Sequence, residues 1–112
     1  MLNSSATGYS EWDAAVNGTD PAINRIPKDI VMCDWHYDAM PSYPSLAIFL
    51  KAGFQVWPCT WKNAKAATAF SSQAKALNDP KVVGVLISTW GSVKIEQLSA
   101  WPALKAALAP WQ

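Results

Sequence analysis

Asp34-Trp35-His36-Tyr37-Asp38 is the densest run of chemically capable side chains in this sequence. In an extended segment, alternation places Asp34, His36 and Asp38 on one face. His and carboxylates together suit zinc or iron. The chain holds one histidine in total, so the metal reading is the weaker one. Asp34 and Asp38 also invite a glycosidase reading, which needs carboxyls about 5 Å apart for retention or about 6.5–9.5 Å for inversion. Both would come from one short segment, with no visible reason for either to hold its proton. A more ordinary reading pairs His36 with a neighbouring carboxylate. In a sugar site, Asp34 and His36 would bind hydroxyls while Trp35 or Tyr37 stacks on the ring; a satisfied polar cluster at a strand end weighs equally. Cys59 has Lys62 nearby to lower its pKa, but the single His gives it no assured base. Ser88, Ser92 and Thr60 lack a nucleophile-elbow context. The five glycines are scattered and form no phosphate cradle. Cys33 and Cys59 match no zinc spacing; two buried small residues are a better reading than a disulfide.

These residues must be positioned by something, and the sequence repeats one device three times. A short apolar run ends in a Trp-centred polar cluster: residues 29–33 run into Asp34 to Asp38, residues 54–57 into Pro58 to Asn63, and residues 82–87 into Ser88 to Ser92. The apolar runs read as parallel strands buried on both faces, because they lack alternation. Polar clusters then fall at C-terminal strand ends, where open α/β sheets and barrels build binding sites. Seven tryptophans in 112 residues is a large excess. Trp suits places where an apolar body meets a polar partner. Trp35, Trp61 and Trp90 are the candidates for a site. Trp12, Trp101 and Trp111 read as core, and Trp57 fits either role.

Helices fill the gaps. Asp20-Pro21 starts a short one that Pro27 stops. Ser45 opens another over residues 46–52, ended by Gly53. Ala64 to Leu77 carries an apolar stripe of Ala66, Ala67, Phe70, Ala74 and Leu77, and Asn78-Asp79-Pro80 breaks it. A turn at 95–98 and a helix over 99–108 follow, with Trp101, Leu104 and Leu108 on one stripe. The order is β-α-β-α-β-α behind a short helix, so the fold class is α/β with parallel strands. Residues 1–19 are polar and read as irregular; residues 20–112 form the domain. Three strands leave apolar edges exposed, which suggests an incomplete barrel or self-association.

Bulk composition excludes several classes. The formal net charge is +1, from nine Lys/Arg and eight Asp/Glu, and only 15% of residues are charged. That gives no basis for a nucleic-acid partner or an anionic membrane surface. No apolar run reaches a spanning length, and the first residues show no signal-peptide pattern. Asn3-Ser4-Ser5 and Asn17-Gly18-Thr19 fit the glycosylation sequon by pattern alone. No cofactor is implied, and the localisation is left open.

The strand ends carry a family resemblance. Ile26 to Val31 leading to Asp34-Trp35-His36-Tyr37, Lys51 to Pro58, and Val83 to Gly91 together resemble the C-terminal part of a family-20-like glycoside hydrolase, the β-N-acetylhexosaminidase type of (β/α)₈ barrel. The resemblance spans roughly residues 6 to 92. It implies that the three β/α units correspond to the sixth to eighth barrel strands, with Trp35 and Trp90-Gly91 in the subsite wall. The family's adjacent Asp-Glu pair belongs at the end of the fourth strand, and this sequence contains no Asp-Glu dipeptide. Where the family places Tyr and Asp after the seventh strand, Pro58-Cys59-Thr60-Trp61-Lys62-Asn63 stands here, and Ser92 replaces the Glu after Trp-Gly. The resemblance therefore implies a non-catalytic, vestigial saccharide-binding fragment. Asp34, Trp35, His36, Tyr37, Trp61 and Trp90 are its candidate sugar-binding residues. The alternative is a self-associating structural protein, a dimer first of all, that uses strand edges and a Trp-rich surface.

Overall fold

A computed structural model describes Leu2, Thr7, Gly8 and residues 17–112. Most of the expected irregular segment, with Trp12 and the Asn3 sequon, lies outside the described residues. The protein is α/β: three parallel strands in the order β1-β2-β3, with β1 Val31–Trp35, β2 Gln55–Thr60 and β3 Leu86–Ile87. Helix α1 spans Pro44–Lys51, α2 Ala64–Ala76 and α3 Pro102–Leu108; 3₁₀ helices occupy Asp20–Asn24, Ile95–Ala100 and Ala109–Trp111. The first of these is 3₁₀ rather than α; Thr19 stands at its N-cap position without a side-chain capping bond, and its hydroxyl donates back to Asn17 Oδ1 at 2.8 Å.

Strand parity organises the core. Val31 lies opposite Gln55, Cys33 opposite Trp57 and Trp35 opposite Cys59, so odd-numbered residues of both strands share one face. Even-numbered residues meet the helices: Val56 is fully buried with Leu46, Phe49, Leu50, Phe54, Phe70 and Ala74. The odd face differs from the expectation of strands buried on both sides. Val31 and Trp57 are each 37% exposed, and Cys33 is exposed as well. The cause is that α1 and α2 both pack on the even face, while α3 packs on α2, with Ala103 and Ala107 fully buried. Ser71 Oγ donates to the Ala107 carbonyl, and Trp111 Nε1 donates to Ser71 Oγ at 2.7 Å. The buried stripe of α3 is thus Ala103/Ala107, and Leu108, 39% exposed, faces out.

The third strand is the largest departure. Its sequence promises a ladder over 82–87, yet only Leu86–Ile87 pairs regularly, with an isolated bridge from Val82 to Val56. Val56 N–H donates to the Lys81 carbonyl at 2.8 Å and its carbonyl accepts from Val83 N–H at 3.1 Å, so even residues of β2 turn their polar groups toward β3. The next even residue is Pro58, which has no N–H to give. Thr60 is opposite Ile87. Residues 56 to 60 are four steps and residues 82 to 87 are five, so the third segment carries one extra residue, a bulge centred on Gly84 at φ 130°.

Helix boundaries follow local chemistry. Asn63 caps α2, its Oδ1 accepting from Lys65 N–H at 3.1 Å and Ala66 N–H at 3.3 Å. Gly53, at φ 93°, supplies the left-handed residue between α1 and β2.

Candidate functional site

Because the strands are parallel, their C-terminal ends lie on one side of the sheet. Trp35 closes β1, Tyr37 follows two residues later, Trp61 follows β2 directly, and Trp90 lies three residues beyond β3. These four side chains form one aromatic cluster. The Trp35 and Trp90 rings are 5.7 Å apart at 42°, Trp35 and Tyr37 6.0 Å apart at 74°, and Tyr37 and Trp61 5.5 Å apart at 61°. Such offset and edge-on packing fits ring quadrupoles. Hydrogen bonds fix the ring positions: Trp90 Nε1 donates to the Tyr37 hydroxyl at 3.0 Å, and Trp61 Nε1 donates to the Thr89 carbonyl at 3.2 Å. Lys62 Nζ stands 4.2 Å from the centre of the Trp61 ring.

Trp90 is the unusual member. It is 64% exposed and its φ is 45°, a left-handed conformation that a bulky residue adopts only at a cost. The surrounding turn compensates. Ser88 Oγ accepts from Trp90 N–H at 3.3 Å, Thr89 Oγ1 accepts from Gly91 N–H at 3.3 Å, and the Thr89 carbonyl accepts from Ser92 N–H at 2.8 Å. Gly91 continues in the left-handed region at φ 74°. Sequence-local bonds therefore hold a large indole outward, against both its backbone preference and its apolar character.

Asp34 and His36 do not join this shelf. Parity turns them to the helix side, where they are 5% and 3% exposed. His36 Nε2 is 3.1 Å from Asp34 Oδ1 and 3.0 Å from Ser45 Oγ. The His36 ring packs edge-on to Phe70 at 4.9 Å and against Tyr43 at 5.2 Å. Asp34 Oδ2 and Thr60 Oγ1 are buried without a hydrogen-bond partner. His36 thus ties the β1 end to α1 through Ser45 and to α2 through Phe70, with Asp34 Oδ1 set against its ring nitrogen.

Sequence reasoning missed Tyr43. Its hydroxyl donates to the Asp38 carbonyl at 2.9 Å and accepts from Met40 N–H at 3.2 Å. Its backbone forms a two-way clamp with Gln73: the Tyr43 N–H donates to Oε1 at 2.8 Å, and Nε2 donates to the Tyr43 carbonyl at 3.1 Å. Together these bonds pin the loop that carries Tyr37. A tyrosine between Pro41 and Pro44 was the available signal. Burial pushes the Tyr43 phenol above its ordinary pKa.

Among the described residues, no group of three or more His, Cys, Asp or Glu is placed to hold a metal ion. No helix among them is long and apolar enough to cross a membrane. In comparisons with known proteins, the chain matches no protein-family model and no curated sequence.

Proposed function

We propose that this chain is a non-catalytic saccharide-binding unit, with Trp35, Tyr37, Trp61 and Trp90 as a stacking shelf. One observation carries the reading: aromatics from three separate strand ends assemble into one cluster, and a strained backbone holds the most exposed of them outward. Indole faces match the apolar C–H faces of pyranose rings, and the Tyr37 hydroxyl and Lys62 ammonium offer polar contacts at the rim. Asp34 and His36 support the shelf from beneath. The resemblance of the strand ends to the last three units of a family-20-like glycoside hydrolase barrel supports the same ligand class and makes N-acetylhexosamine oligosaccharides the first to test. Titration of tryptophan fluorescence with chitooligosaccharides should give saturable quenching. Trp90→Ala should weaken it about tenfold or more, the scale of one lost stacking contact. Absence of binding across chitin, cellulose and mannan oligomers would sink the reading. Release of product from a chromogenic N-acetylhexosaminide would overturn its non-catalytic part.

The exposed odd face favours a second reading, self-association through the sheet. Ile30, Val31, Trp57 and Val83 are exposed apolar side chains along that face and its rim. Two copies could cover these surfaces by symmetric pairing. Sedimentation equilibrium distinguishes a dimer from a monomer directly.

A further inference from the structure

Cys33 and Cys59 belong to neighbouring strands and to one face of the sheet. Cys33 lies opposite Trp57 and Cys59 opposite Trp35, so the two cysteines are diagonal neighbours on the odd face. Both are free thiols. Cys33 is exposed, and Cys59 is buried beside it with its Sγ donating to the Trp57 carbonyl at 3.0 Å. The pair meets solvent through Cys33.

The spacing separates two chemistries. With strands about 4.8 Å apart and a rise of about 3.3 Å per residue, diagonal Cα atoms stand about 8 Å apart. A disulfide needs Cα atoms within about 7 Å and Cβ atoms about 3.8 Å apart, so oxidation would require backbone movement. A linear two-thiolate bridge is wider. On the scale of a zinc–thiolate bond, about 2.3 Å, such a bridge separates the sulfurs by about 4.6 Å, a span open to two thiols on one face of neighbouring strands. Zinc prefers four ligands, and no third His, Cys, Asp or Glu joins the pair among the described residues. Soft thiolates select monovalent copper.

We propose that Cys33 and Cys59 form a two-coordinate thiolate site for a soft monovalent metal ion, copper(I) being the case in point. Two S–H bonds break, two S–Cu bonds form, two protons leave to solvent, and no electron is transferred. Affinity therefore rises with pH. Trp57 and Trp35, the strand partners of the two cysteines, stand beside the ion and report it.

The test is anaerobic titration of the full chain with copper(I), in competition with a chromogenic copper(I) chelator. The expected result is one ion per chain, release of two protons measured in weak buffer, and quenched tryptophan fluorescence. Cys33→Ser and Cys59→Ala should each weaken binding at least a hundredfold, with unchanged circular dichroism confirming the fold. Wild-type chain that binds half an ion, releases one proton, or binds none overturns the proposal, whatever the variants do. So does a Cys59→Ala chain that retains wild-type affinity.

Discussion

Tyr43 buries a phenol whose hydroxyl is hydrogen-bonded on both sides, and Cys59 buries a thiol in the sheet. Both groups have raised pKa values in the folded chain, with burial as the leading cause. The ordinary values are 10.0 for the tyrosine and 9.0 for the cysteine. Below pH 9.0 both are protonated whether the chain is folded or not, and their contribution to stability is fully present. As pH rises past 9.0 and then 10.0, the unfolded chain releases protons that the folded chain retains, and stability falls. Each group can contribute a slope of at most about 1.4 kcal/mol per pH unit. Urea unfolding at neutral and alkaline pH should show this loss, and Tyr43→Phe should reduce the slope above pH 10.0 while costing about 1 kcal/mol at neutrality for the lost hydrogen bonds. An equal alkaline slope in Tyr43→Phe would assign the effect elsewhere.

The elements show which parts of the structure sequence patterns encode. α1, α2 and the first two strands follow from local signals: Asn63 as a cap, Gly53 as a stop, apolar runs of the right length. The aromatic shelf was equally legible, because parallel strands carry their C-terminal residues to one side wherever the strands begin. The side assignment of Asp34 and His36 was not legible, since it depends on which face the helices cover, and a one-residue parity change exchanges the faces. Nor was the broken β3. Residues 82–87 are strand-formers locally, but their ladder depends on Pro58, twenty-odd positions away, which withholds the N–H that β3 needs. Gly84 absorbs the mismatch at φ 130°, and a Cβ placed there would meet Trp57 Nε1 at 3.8 Å, an ordinary contact. The cost of Gly84→Ala is therefore conformational and should be about 1–3 kcal/mol. The midpoint of urea unfolding measures it, and a neutral Gly84→Ala would mean the bulge sits elsewhere.

For the whole molecule, the arrangement of layers matters most. Helices cover one face of the parallel sheet, and α3 adds to α2 instead of closing over the other. The open face presents Val31 and Cys33 on the edge strand β1 and Trp57 on the central strand β2, while the aromatic shelf stands at the C-terminal rim. The two proposed functions thus use different residues, which makes them separable. A lysine at Trp57 places a charge where two open faces would meet, and burying an unpaired charge costs several kcal/mol. If copies pair through this face, Trp57→Lys should raise the dimer dissociation constant at least a hundredfold in sedimentation equilibrium, since about 2.7 kcal/mol suffices for that factor. Trp90→Ala, on the rim, should leave the dimer intact and weaken saccharide binding about tenfold or more. The opposite pattern, with Trp90→Ala dissolving the dimer and Trp57→Lys leaving it whole, would move the contact to the shelf and make saccharide and second chain competitors for the same tryptophans. A wild-type chain that sediments as a monomer up to about 100 μM, a dissociation constant weaker than about −5.5 kcal/mol of binding, leaves the open face to solvent and removes self-association as a function.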